Sequence, residues 1–97
     1  MIIAELAIFP TSEGVSVSRY VQEAVRVIEA SGLHSETGGM STTIEAPSLD
    51  RLFEVIKQAH EALIKMGVKR IHIDLRIDHR LDREATISSK LKAIGKR

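Results

Sequence analysis

The sequence predicts an α+β sandwich: a four-stranded antiparallel sheet with two long helices on one face and a short helix appended at the C-terminal end. Three observations carry this. Residues 69–78 alternate, with Ile71, Ile73, Leu75 and Ile77 set against Arg70, His72, Asp74, Arg76 and Asp78, as a strand with one oily and one charged face requires. Residues 17–28 and 49–66 repeat apolar side chains at helical spacing. The order of these patterns along the chain is βαββαβ, and two βαβ halves with right-handed crossovers put both helices on the same side of the sheet.

Each element has its own justification. Residues 1–9 form the first strand, with Ile2, Ala4, Leu6 and Ile8 suited to the core. Ile3, Glu5, Ala7 and Phe9 face the other way, and a strand apolar on both faces is usually covered on both. Pro10 ends it, because proline cannot donate to a ladder. Ser16 or Ser18 is placed to cap the next helix through its side-chain oxygen. Val17, Tyr20, Val21, Ala24, Val25 and Ile28 form that helix's stripe, and Gly32 stops it. Residues 34–37 make a short polar strand, and Gly38 and Gly39 a turn. The third strand takes residues 40–46, with Met40, Thr42, Ile44 and Ala46 on one face and Ser41, Thr43 and Glu45 on the other. Pro47 and Ser48 open the second helix, whose stripe is Leu49, Leu52, Phe53, Ile56, Ala59, Leu63 and Met66, with Gly67 as its stop. Residues 69–78 follow as the fourth strand, residues 79–82 turn, and residues 83–94 form the third helix, with Ile87, Leu91 and Ile94 on one side.

The whole is one ferredoxin-like domain over residues 1–97, with the first strand between the third and fourth. Its open face gathers Ile3, Glu5, Ala7 and Phe9 with Thr43, Glu45, His72, Asp74, Arg76 and Asp78. Left bare, a face bearing Ile3 and Phe9 is an exposed apolar patch, so it is expected to pack against something, most readily a second copy.

Composition narrows the function. Ninety-seven residues give one modest core, which oligomerisation would support. A net charge of +1 argues against a strong grip on nucleic acid or on an acidic membrane. The stacking aromatics of RNA-binding sheets are missing, since Phe9 is the only aromatic in a central strand. The absence of cysteine removes disulfides, thiolate nucleophiles and cysteine-ligated metals, and fits a reducing compartment. The N-terminal apolar run is interrupted by Glu5 and lacks a basic leader, and no run approaches the roughly 20 residues of a membrane span, so a cytoplasmic location is expected. His34, His60, His72 and His79 include no pair at three- or four-residue spacing, and no metal site is expected. There is no phosphate loop, no nucleophile elbow and no recognisable nucleophile–base pair, so no catalytic residue is assigned.

The nearest thing to a binding site is polar. Glu45 beside Thr42 and Thr43 is a carboxylate flanked by hydroxyls, suited to a heterocycle that offers an amine and a ring nitrogen. The bland alternative is an ion-pair ladder at an interface or in solvent. The hydroxyl-rich residues 11–18 lead into a helix start, where anions are favoured, although capping plus an ordinary turn is the better explanation of them.

Several segments together resemble a known family. They are Pro10-Thr11, Ser16-Val17-Ser18-Arg19-Tyr20-Val21, Gly32-Leu33, Met40-Ser41-Thr42-Thr43-Ile44-Glu45, His60-Glu61 and Ile77-Asp78-His79-Arg80-Leu81-Asp82. In order and spacing these resemble the small thiamine-binding proteins, single-domain relatives of the YkoF-like proteins. The resemblance implies dimers and tetramers assembled through their sheets, and binding of thiamine or its hydroxymethylpyrimidine part with no enzymatic turnover and no cofactor. Under it, Ser16, Ser18, Met40, Thr42, Thr43, Glu45, Glu5 and Asp78 are the ligand-binding candidates. Ser41 and Ala46 stand where the family commonly has glycine, and Arg76 where it often has lysine; the added side chain at Ser41 bears on the shape of any pocket there. Two other readings stay open. One is a regulatory oligomer whose charged face serves assembly, with an anion near Arg76 or Arg80. The other is a cofactor-free enzyme using a perturbed glutamate or histidine.

Overall fold

The N-terminal alternation becomes β1 (Ile2–Pro10), and in the computed structural model, which describes residues 1–96, this strand is the spine of the sheet. The other elements are α1 (Ser18–Ala30), β2 (Ser35–Thr37), β3 (Thr42–Ala46), α2 (Leu49–Lys65), β4 (Ile71–Asp78) and α3 (Ile87–Ala93). The strands lie in the order β2-β3-β1-β4, every pair antiparallel. This is the ferredoxin-like arrangement the element order requires.

The core forms where α1 and α2 meet the even-numbered side of β1. Ile2, Leu6, Ile28, Ile44, Leu52, Val55 and Leu63 are almost wholly enclosed, and each such side chain contributes about 1.5–3 kcal/mol by leaving water. Ser48 caps α2 by accepting the Arg51 amide at 3.1 Å. The helices contact β1, β2 and β3. The oily side of β4 is consequently covered less than its alternation suggested, with Ile73 39% and Ile77 41% exposed.

Register assembles the other face as expected. Ile3 stands opposite Glu45 and Asp78, Glu5 opposite Thr43 and Arg76, Ala7 opposite Asp74, and Phe9 opposite His72. This face is not bare along its whole length. The C-terminal segment crosses it, so that Ile3, Ala85 and Ile87 are buried and the Ile87 amide donates to Glu45 Oε1 at 2.5 Å. Lys90 Nζ reaches Asp78 Oδ2, also at 2.5 Å.

Four local expectations are corrected. Neither Ser16 nor Ser18 caps α1: its N-cap is Val17, which makes no side-chain capping bond. Met40 and Ser41 lie outside β3, because Gly38 donates its amide to the Ser41 carbonyl at 2.9 Å and the chain reverses at Gly39 and Met40. Pro10 is the last residue of β1, opposite Ile71, so the strand ends one residue later than expected. The third helix starts at Ile87 rather than near residue 83, because Thr86 is extended and forms a reciprocal capping box with Ser89.

Candidate functional site

A difference in strand length creates a partly enclosed hollow. β1 pairs with β4 as far as Pro10, opposite Ile71, but with β3 only as far as Leu6, opposite Thr42. Beyond Leu6 the β2–β3 hairpin has already turned. A cleft of about 260 Å³ remains between residues 6–9 of β1, the hairpin tip and α1. Val17, Val21, Ala24 and Val25 form its α1 wall. The hydroxyls of Thr37 and Thr42, 3.1 Å apart, are its main side-chain polarity, and Thr42 is 4% exposed.

A second hollow of about 330 Å³ lies on the open face, lined by Glu5, Ala7, Met40, Ser41, Asp74, Leu75 and Arg76. It shares Ala7, Met40 and Ser41 with the cleft, so the hairpin tip divides the two. Here Ser41 Oγ donates to Glu5 Oε2 at 3.0 Å, and Arg76 Nη1 stands 3.6 Å from Glu5 Oε1.

The eight candidate residues do not converge on one place. Thr42 lines the cleft and Met40 sits on the divide, its side chain 90% exposed. Ser18 lies on an outer groove that shares Val17, Val21 and Val25 with the cleft, while Ser16 is exposed in the preceding loop. Glu5 belongs to the open-face hollow, and Thr43 lies further along the same face with Asp78. Glu45 is 8% exposed, and its carboxylate is engaged by the start of α3. Asp78 carries the Lys90 ammonium, and that hydrogen bond and charge hold its carboxyl below the usual range.

The sequence reading missed Ile8 and Thr37 as lining residues, and took the α1 valines for core alone. The available signal was the mismatch between a long first strand and an early Gly38-Gly39 turn. Among the described residues no three histidine, aspartate or glutamate side chains are grouped to hold a metal. No helix there is long and apolar enough to cross a membrane.

A family model described as thiamine-binding protein matches residues 4–95. The chain belongs to that thiamine-binding protein family. It is similar to a UPF0045 protein of Methanocaldococcus jannaschii, with 42% identity over 94 residues, covering 97% of this chain and 92% of the relative. The crystal structure of that archaeal protein aligns with a TM-score of 0.90 at 41% identity, covering 99% of this chain and 97% of the other. A UPF0045 protein of Bacillus subtilis is 37% identical over 101 residues, covering 99% of this chain and 96% of the relative. Within this family member, two of the segments that carried the resemblance, residues 16–21 and 40–45, supply opposite walls of the cleft through Val17 and Val21, and through Met40, Ser41 and Thr42.

Proposed function

We propose that the protein binds thiamine or its hydroxymethylpyrimidine part without turning it over, in the cleft between α1, β1 and the β2–β3 hairpin, as a homo-oligomer. The observation that carries this reading is the family match over residues 4–95, joined to a cleft walled by the family-like segments. Its chemistry suits a flat heterocycle. Valine walls exclude water from the ring faces, and the Thr37 and Thr42 hydroxyls serve as donor or acceptor. A volume of about 260 Å³ falls below the roughly 300–1,000 Å³ of drug-sized sites. One ring therefore enters and the remainder of thiamine stays outside. Across the hairpin tip, Glu5 and Asp74 face the single Arg76, a balance that tolerates a cationic thiazolium. The anion reading gains nothing here, because Arg76 already faces Glu5 and Arg80 is paired with Asp82.

Calorimetry and thermal shift with thiamine and with hydroxymethylpyrimidine test the proposal. Saturable heat with both is expected. Val21→Phe should fill the cleft and abolish the signal while the fold survives. Silence from both ligands at millimolar concentration would remove the reading.

A further inference from the structure

The hairpin tip at residues 38–41 is tied to the rest of the sheet by one side chain. β2 and β3 pair only as far as Thr37 and Thr42, and β1 meets β3 no further than Leu6 and Thr42. Past those pairs the tip closes on itself, the Gly38 amide donating to the Ser41 carbonyl at 2.9 Å. Among the described residues its one side-chain hydrogen bond runs from Ser41 Oγ to Glu5 Oε2, at 3.0 Å. Packing adds little. A methyl group at Gly39 would meet nothing within 4 Å beyond its chain neighbours, one at Gly38 only the Ser41 carbonyl, and Met40 is 90% exposed.

The other end of that bond is fixed. Glu5 lies in mid-strand, opposite Thr43 on one side and Arg76 on the other, and Arg76 Nη1 stands 3.6 Å from its second oxygen. Ser41 lines both the cleft and the open-face hollow, and Glu5 lines the latter, so their bond lies on the boundary between the two. The cleft has room for one flat ring. Thiamine carries two rings joined through one carbon, the second a cation. To shelter both, the second ring must pass the tip into the open-face hollow, where Glu5 and Asp74 outnumber Arg76.

We propose that the Ser41–Glu5 hydrogen bond is a latch that sets selectivity between a one-ring and a two-ring ligand. This rests on the ligand reading above and adds what governs the second ring. Closed, the latch keeps the tip between the hollows and favours the lone pyrimidine. Open, it joins the hollows and frees Glu5 Oε2, so the carboxylate exchanges a neutral hydroxyl for a cationic ring in a site that the ligand itself shields from water. Ser41 acts through the tip and is a positioning residue, whereas Glu5 meets the second ring directly. The two ends of one bond therefore work in opposite directions on the two-ring ligand.

The test is calorimetry with hydroxymethylpyrimidine and with thiamine on the wild type, Ser41→Ala, Ser41→Thr and Glu5→Gln. The readout is the ratio of the two affinities. Ser41→Ala should shift that ratio about fivefold towards thiamine, the equivalent of one exposed hydrogen bond that no longer opposes the second ring. Ser41→Thr keeps the hydroxyl and should restore the wild-type ratio. Glu5→Gln keeps an acceptor for Ser41 but loses the charge, and should shift the ratio the other way, towards the lone pyrimidine. Binding of both ligands with one ratio in all four proteins would overturn the latch and leave the ligand reading intact. So would an equal loss of both affinities in Ser41→Ala and Glu5→Gln, which would make the bond structural only. No heat from either ligand with the wild type would overturn that reading and the latch with it.

Discussion

Tyr20, the aromatic member of the family-like segment in α1, ties that helix to the loop before it. It is 5% exposed, accepts a hydrogen bond from Arg19 Nη2 at 2.8 Å and donates to Glu13 Oε1 at 3.1 Å. Ser12 donates to the other Glu13 oxygen and accepts the Lys69 and Arg70 amides, so the 11–16 loop is pinned to both α1 and the start of β4. Tyr20→Phe should cost about 1 kcal/mol in urea unfolding, the worth of one hydrogen bond. The hydrogen bonds from Ser12 and Tyr20 hold the Glu13 carboxyl below its usual range, as Lys90 does for Asp78. A carboxyl with a lowered folded pKa binds fewer protons folded than unfolded. Its contribution is complete above the ordinary carboxylate range and disappears as pH falls through the lowered folded value. The urea midpoint should therefore fall on acidification from neutral pH, and Glu13→Gln and Asp78→Asn should each flatten that fall. Glu45 belongs to the same scale. Glu45→Ala strands the Ile87 amide and should cost about 1.5–3 kcal/mol, as loss of a bond to a charged group does. With the ring in the cleft, this variant should keep its ligand affinity.

At the scale of elements, α3 is a clasp on one end of the open face. Thr86→Ala removes its cap and should cost about 1 kcal/mol. Hydrogen exchange should quicken across residues 87–93 and leave β1 protected. The alternation of β1 and β4 and the helical stripes of α1 and α2 were legible because hydrophobic periodicity is written locally. So was the sheet order, because chain connectivity and crossover handedness constrain it. The exclusion of Met40 and Ser41 from β3 was not legible. Alternation continues through both residues, and only the Gly38–Ser41 hydrogen bond shows where the chain turns. Docking of α3 onto Glu45 was hidden for a similar reason. Three apolar residues in a short helix do not say which face of a sheet they cover. The Thr86 and Ser89 capping box was present in the sequence as a start signal and was passed over. Of the candidate site, Thr42 and Met40 border the cleft, while Glu45, singled out for its hydroxyl-flanked pattern, accepts the amide at the start of α3.

For the molecule as a whole, the dimensions exceed those of a compact monomer, which is compatible with the proposed homo-oligomer. The accessible surface is 6323 Å², whereas monomers of this mass average about 5,500 Å². The Cα radius of gyration is 14.1 Å, against about 12.5 Å for a compact chain of this length. Apolar side chains contribute to the excess, with Phe53 at 48%, Ile73 at 39% and Ile77 at 41% exposed. On the open face, the end away from α3 carries half-buried Ala7 and Phe9, the latter packed 5.0 Å from the His72 ring between centroids. A partner copy seated on that end would remove Phe9 from water and meet the alternating charges of β4. Sedimentation equilibrium should therefore give a multiple of 10.7 kDa. Phe9→Lys places a charge at the proposed seam without touching the enclosed core, and should shift the mass towards one subunit while circular dichroism stays unchanged. Ile73→Lys probes the other exposed surface, the helix-side edge of β4. If it alone dissociates the assembly, the contact runs along that edge, and a wild-type mass of a single subunit would leave the open face without its proposed cover.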